Sequence, residues 1–363
     1  MESPLLSHHE SVGAKLGNYF GCVLPDVFTD WREEWRNARE NVALFDANWL
    51  GSTVFRGPDR VRYLNAIVTA DLRSLGESEG TIALLLDPRA HILAELEIYR
   101  GRDELLVLSN RAVRGRTNST FDRYIIMDEV DMEDASDRLG IIALEGPRAG
   151  IVLAQATGFS LDGFAEYAGQ KVDLDGVGCF LTRRSHFGSP GFQVIAPRER
   201  LVTLWSDLYG MVHASGGAAV GMKALDALRL EAGVPWFPLD FDDTVIPLEA
   251  ALESTHLSFT KGCYPGQEIV ERVRSRGHVN RRRVRLAFST GEPPAPGASL
   301  RADTSEVGHV TSAAFSPAAG VPIGMGYLRS EYSSPGTAVQ LDGRTATVLA
   351  DGNGGFGSKR QTG

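Results

Sequence analysis

Thr260-Lys-Gly-Cys-Tyr-Pro-Gly-Gln-Glu-Ile269 is the densest segment of the chain. Its two glycines and one proline forbid a regular helix and make a tight, defined loop. The loop presents a thiol, Cys263, beside the ammonium of Lys261. A neighbouring cation stabilises thiolate and raises reactivity. Gln267 and Glu268 add an amide and a carboxylate where the next element starts. A single cysteine is ordinarily a small buried hydrophobe. The crowding of functional and conformationally special residues favours a site here.

N-terminal to the loop, the first forty or so residues read as a polar arm running into a helix over Asp30–Glu40, with Trp31 and Trp35 one turn apart as a packing edge. Ser52–Asp59 reads as a strand ending in a Gly-Pro turn, with Asp59 as N-cap of a helix over Arg60–Ile67. Strands follow at Thr81–Leu86 and Ile92–Tyr99, joined by the turn Asp87–Ala90, then a strand at Leu105–Ser109 and a helix at Arg114–Tyr124. This order predicts an α+β unit with a mainly antiparallel sheet. Leu139–Leu144, the turn Glu145–Arg148 and a helix over Ala149–Thr157 repeat it in part: Phe55-Arg-Gly-Pro-Asp-Arg60 parallels Leu144-Glu-Gly-Pro-Arg-Ala149.

C-terminal to the loop, seven arginines lie between Arg272 and Arg285. Strand alternation would put Arg272, Arg274 and Arg276 on one face, a patch for a polyanion; the alternative is a solvated face balanced by the acidic remainder. Past Glu292-Pro-Pro-Ala-Pro-Gly297, helical periodicity gives way to short apolar runs, Val307–Ser312, Ile323–Leu328, Ala338–Leu341 and Ala346–Leu349. They predict a small all-β barrel or sandwich over 286–363, with frayed residues from Gly352.

The chain has 363 residues, 43% of them hydrophobic and 23% charged, enough for two or three packed units. A net charge of −9 argues against general nucleic-acid binding, and no aromatic platform accompanies the arginines. Three scattered cysteines, Cys22, Cys179 and Cys263, make neither a disulfide framework nor a zinc pair, so no bound metal is expected. Met1–Phe20 has no apolar core like that of a secretory signal, and no run approaches the length of a membrane span, so the cytoplasm is the expected compartment.

Lys261-Gly-Cys-Tyr-Pro-Gly-Gln-Glu268 resembles the signature of the YgfZ-type folate-binding proteins, a branch of the aminomethyltransferase (glycine-cleavage T-protein) superfamily. The likeness extends to Phe45-Asp46, Gly57-Pro-Asp59, Gly221–Gly233 with Pro247-Leu-Glu249, and the C-terminal Gly308–Ser312, Ser316-Pro317 and Gly326–Arg329. It implies a three-lobed arrangement, two interleaved α+β subdomains over 1–285 plus a C-terminal β-barrel, around a central tetrahydrofolate site. Trp236 and Phe237 would serve as its walls, with core packing as the alternative.

Two positions depart from the family pattern. Its adjacent acids fall on Ala94-Glu95, leaving Glu95, and a run ending in a pterin-gripping Glu falls on His186–Gln193, leaving the neutral Gln193. Arg229 and Glu231 lie in the preserved central segment, with a surface ion pair as the alternative reading. The resemblance makes Cys263, Lys261 and Glu95 candidate catalytic groups. Gln193, Arg229, Glu231, Trp236, Tyr264, Gln267, Glu268 and Arg274 become candidate folate contacts. The expected function is folate binding in support of iron–sulfur cluster assembly or repair, with iron–sulfur proteins as clients; the alternative is folate-dependent aminomethyl or methyl transfer.

Overall fold

The computed structural model describes residues 2–350, so the C-terminal segment expected to fray lies outside the described residues. Two large sheets and a barrel organise the chain. The first is a five-stranded antiparallel sheet in the order Gly80–Leu86, Ile92–Arg100, Glu104–Asn110, Leu50–Arg56, Asp131–Asp134. The helices Arg60–Ile67 and Arg114–Tyr124 bury its outer face around Phe55, Leu64, Ile98 and Phe121. Removing side chains of that size from water contributes about 1.5–3 kcal/mol each.

The second sheet has six strands in the order Gly169–Leu174, Val177–Arg183, Gly191–Pro197, Leu139–Glu145, Ala43–Asp46, Ala218–Ala219, the last pairing parallel. Ala43–Asp46 precedes every strand of the first sheet in the chain yet pairs in the second, so the two halves interleave. The repeated Gly-Pro turn has the same job in both. Gly57 (φ +98°) and Gly146 (φ +137°) each end a strand in backbone that L side chains avoid, and a Cβ would lie 2.2 Å from Glu129 O or 2.6 Å from Asn41 O. The helices Arg60–Ile67 and Ala149–Thr157 then begin.

The third unit is a closed six-stranded barrel, Arg281–Phe288, Val321–Arg329, Ser305–Ser316, Ser299–Ala302, Ala338–Leu341 and Arg344–Leu349. It contains all four apolar runs read from the sequence. The division expected at 285/286 falls inside its first strand.

Two local expectations are corrected. The N-terminal arm is a helix, Leu6–Ser11, and a hairpin, Lys15–Tyr19 with Cys22–Val27, tied down by fully buried His9 on the Asp46 carboxylate (3.0 Å). Asp59 precedes its helix but does not cap it; its carboxylate accepts from Glu129 N and pairs with Arg62. Asp30 caps Trp31–Glu40, which buries Glu34 and Ala38 and packs half-buried Trp35 against the core. Burial pushes the Glu34 carboxyl above its ordinary range, and bonds accepted from the backbone of Phe28, Thr29 and Gly221 offset part of that cost.

Candidate functional site

A cleft opens between the two sheets and the segment after the helix Met222–Ala232. In a strand, residues two apart share a face, and in Ile92–Arg100 these are Glu95 and Glu97, which both line the cleft with Asn110 of the next strand. An aromatic stack faces them. The Trp49 ring lies 6.0 Å from Phe45 with planes 6° apart, and 5.8 Å from Trp236 at 29°. Phe20 closes on Trp236 at 6.0 Å. Such offset stacking fixes aromatic faces against a void. Trp236 is held at both ends, its indole N–H on His186 O (3.0 Å) and its backbone N–H on the Asp240 carboxylate (3.0 Å).

The two carboxylates have different partners. Glu95 Oε1 lies 3.0 Å from His256 Nε2. Glu97 is buried and accepts from Arg184 Nε (3.0 Å) and the Tyr99 hydroxyl (2.9 Å). Burial pushes the Glu97 carboxyl above its ordinary range, and the Arg184 charge pulls it back.

Arg184 starts a loop, residues 184–190, that Glu145 grips from behind. The Glu145 carboxylate accepts from the Ser185 hydroxyl (2.8 Å) and from the backbone of His186 (2.6 Å), Phe187 (2.9 Å) and Ser189 (3.1 Å). Burial pushes it up to about 7 despite these bonds. The loop sets His186 into the cleft wall, edge-on to Phe45 and Trp49. Burial, and secondarily Arg184, hold His186 well below its ordinary value, so the ring is neutral. Its Nε2 lies 3.0 Å from Gln193 Nε2, while Gln193 Oε1 accepts from the Thr182 hydroxyl at 3.0 Å.

Of the sequence candidates, Glu95 and Trp236 line this cleft, as does Phe237. Gln193 is fully buried behind His186, with its amide engaged on both sides. Arg229 and Glu231 are not a surface pair. Arg229 is fully buried, bonded to Asp240 (2.5 Å) and Asp226 (2.7 Å), with its guanidinium 5.0 Å from the Trp236 ring centre. Glu231 points elsewhere and accepts from Trp35 Nε1, Arg39, Ser316 and Ala318 N.

The 260–269 loop sits apart from the cleft lining. Gly266 (φ +82°) brings it onto the turn Asp87–Ala90, where a Cβ would meet Asp87 O at 2.7 Å. The side chain of Lys261 does not serve Cys263. It turns inward, and its ammonium donates to the carbonyls of Asn65 (2.5 Å), Val68 and Ala70 (3.0 Å) at the end of the helix Arg60–Ile67. Burial lowers its pKa to about 8. Cys263 is exposed, whereas Cys22 and Cys179 are buried. Tyr264 is buried in the apolar cluster that backs Phe237; Gln267 and Glu268 open the helix Gln267–Arg276, half-buried and exposed respectively.

That helix overturns the strand-face reading of the arginines, because a spacing of two spreads Arg272, Arg274 and Arg276 around a helix. Arg274 lies over Phe259 at 3.9 Å and pairs with Glu271. Further on, Arg281 and Arg282 pair with Glu249 and Glu253, and Arg283 and Arg285 donate to the carbonyls of Ala250 and Glu231. Arg281, Arg282, Arg283 and Arg285 thus fasten the barrel to the body.

Sequence reasoning missed Glu97, Trp49, Arg184, His186 and His256. Glu97 had a signal, two residues from Glu95 in a strand; the others meet through contacts over long sequence distances. Among the described residues no three His, Cys, Asp or Glu side chains gather to hold a metal ion, and no helix is long and apolar enough to cross a membrane.

The fold agrees with comparisons to known proteins. The chain is 29% identical over 347 residues to an aminomethyltransferase of Chlorobium limicola, covering 94% of each protein. It is 26% identical over 342 residues to one of Caldanaerobacter subterraneus subsp. tengcongensis, covering 94% of this chain and 91% of that protein. The crystal structure of glycine cleavage system aminomethyltransferase T from Bartonella henselae superposes with a TM-score of 0.87 at 27% identity, over 96% of both chains. Residues 5–257 match the GCVT N-terminal domain and residues 281–351 the glycine cleavage T-protein C-terminal barrel domain, so the chain belongs to the glycine-cleavage T-protein family.

Proposed function

We propose that this chain binds tetrahydrofolate in the central cleft and carries out folate-dependent aminomethyl or methyl transfer. The observation that carries this reading is the meeting, in one cleft, of an aromatic stack with two carboxylates on one strand face. Trp49 and Trp236 would take the flat pterin, and Glu97 its N–H edge. When bound, tetrahydrofolate supplies the acceptor for the one-carbon unit. Glu95 would hold or accept the proton of the reacting amine, the part of a general base. Loss of the family's adjacent acids counts less against catalysis than the sequence suggests, because Glu97 supplies a second carboxylate two residues on.

Calorimetry with tetrahydrofolate and its 5-formyl derivative tests binding. Ammonia release from the aminomethyl-lipoyl intermediate of glycine cleavage tests turnover. Wild type should bind and turn over, and Glu95→Gln should lose about 10²–10⁴-fold in rate, the usual worth of a general acid or base. Binding without turnover on this substrate or on dimethylglycine would remove the enzymatic reading.

A second reading rests on the exposure of Cys263 within Lys261–Glu268. On it, the chain is a YgfZ-type protein supporting iron–sulfur assembly or repair, with the thiol acting on client proteins apart from the folate cleft. Recovery of an apo iron–sulfur protein in the presence of wild type or Cys263→Ala discriminates: equal recovery rates remove it.

A further inference from the structure

Glu95 is reached from behind by a residue 161 positions away. His256 ends the short turn of helix Glu253–His256 and is 6% exposed; it does not line the cleft. Its backbone is fixed on both sides, the N–H on Leu252 O (3.0 Å) and the carbonyl accepting from the Thr69 hydroxyl (2.7 Å). Its ring is fixed as well: Nδ1 lies 2.7 Å from Thr255 Oγ1 and Nε2 lies 3.0 Å from Glu95 Oε1. The Thr255 hydroxyl also lies 3.4 Å from Leu252 O, the longer of its two contacts; when it donates over the shorter one to Nδ1, the ring proton sits on Nε2 and is donated to the carboxylate. Among the described residues no protein group hydrogen-bonds Glu95 Oε2, and the side chain remains 18% exposed at the cleft.

A glutamate on a cleft wall has rotamer freedom that a ligand would have to remove on binding. Here the protein removes it in advance. We propose that His256 is a positioning residue for Glu95, its ring set by Thr255, so that one carboxylate oxygen is committed to the imidazole and the other is presented to an N–H or ammonium group of the ligand. This rests on the one-carbon-transfer reading of the cleft.

The variants His256→Phe, His256→Gln and Thr255→Val test it, with 5-formyltetrahydrofolate binding by calorimetry and ammonia release from the aminomethyl-lipoyl intermediate as readouts. In His256→Phe, kcat/KM should fall about 100-fold, chiefly through kcat, as for a misplaced reactive group. His256→Gln can offer an amide N–H where Nε2–H stands and should recover all but about tenfold of that loss. A Gln variant as impaired as the Phe variant would mean that His256 only packs, and would overturn the inference. Should His256→Phe fail to fold, Thr255→Val decides: kcat should fall severalfold with binding kept, and an unchanged kcat overturns the inference. Wild type that binds no folate overturns the cleft reading and this inference together. Wild type that binds and turns over beside equally active His256 and Thr255 variants overturns this inference alone.

Discussion

His186 shows at the scale of one residue how burial selects a protonation state. The ring is walled by Phe45 and Trp49, lies near Arg184 and meets the Gln193 amide, so its cationic form has been made costly. A histidine held neutral in the fold and free to ionise when unfolded contributes stability that is complete above pH 6.5 and lost as pH falls toward the depressed folded value. Below pH 6.5 the unfolded chain therefore binds one more proton than the fold does at this position. Urea denaturation between pH 6.5 and 5 should show wild type losing up to about 1.4 kcal/mol per pH unit more than His186→Phe, whose ring suits the same aromatic surroundings. Parallel slopes for the two proteins would place the imidazolium in the folded state.

At the scale of the element, Lys261 belongs to the end of a helix rather than to the thiol two residues on. A helix leaves its last carbonyls without partners, and the ammonium takes that of Asn65 together with those of Val68 and Ala70 just beyond the helix end. Lys261→Met should cost on the order of 1–3 kcal/mol, read as a fall in the urea midpoint, because it orphans buried acceptors. The same variant should leave the rate of Cys263 alkylation by iodoacetamide within about twofold of wild type, since only a cation close to the sulfur changes its reactivity. A large drop in that rate would reinstate the pairing expected from the sequence. The strands, the Gly-Pro turns and the barrel were legible because strand alternation, turn residues and breaker clusters are local signals. Gln267–Arg276 was misread because alternate arginines suit a strand face as well as an exposed helix. The telling signal there was Ile269, Val270 and Val273, spaced to share a helix face. The N-terminal arm was illegible for another reason: His9 is buried against Phe28, Asp46 and Trp205, all distant in sequence.

Across the whole molecule, the cleft depends on how three units are joined, which explains why so little of it could be read from the sequence beyond Glu95, Trp236 and Phe237. Asp240 is the clearest joint. One carboxylate oxygen takes Arg229 of the central helix and the backbone N–H of Trp236; the other takes the hydroxyls of Thr311 and Ser312 on the barrel strand Ser305–Ser316. Body, cleft wall and barrel thus share a single buried charge. Asp240→Ala leaves the Arg229 guanidinium with only Asp226 as a carboxylate partner and frees both barrel hydroxyls. Breaking a buried pair from one side costs about 3–5 kcal/mol, far more than an exposed pair would. Because Trp236 loses its backbone anchor in the same event, the loss should reach the cleft as well as the fold. The expected result is a urea midpoint lowered by that energy, together with a red-shifted tryptophan emission in the still-folded protein as the indole wall admits water. A variant that loses stability with an unshifted emission would show that Trp49, Phe20 and the His186 carbonyl hold the wall alone, and that the barrel is attached to the body without shaping the cleft.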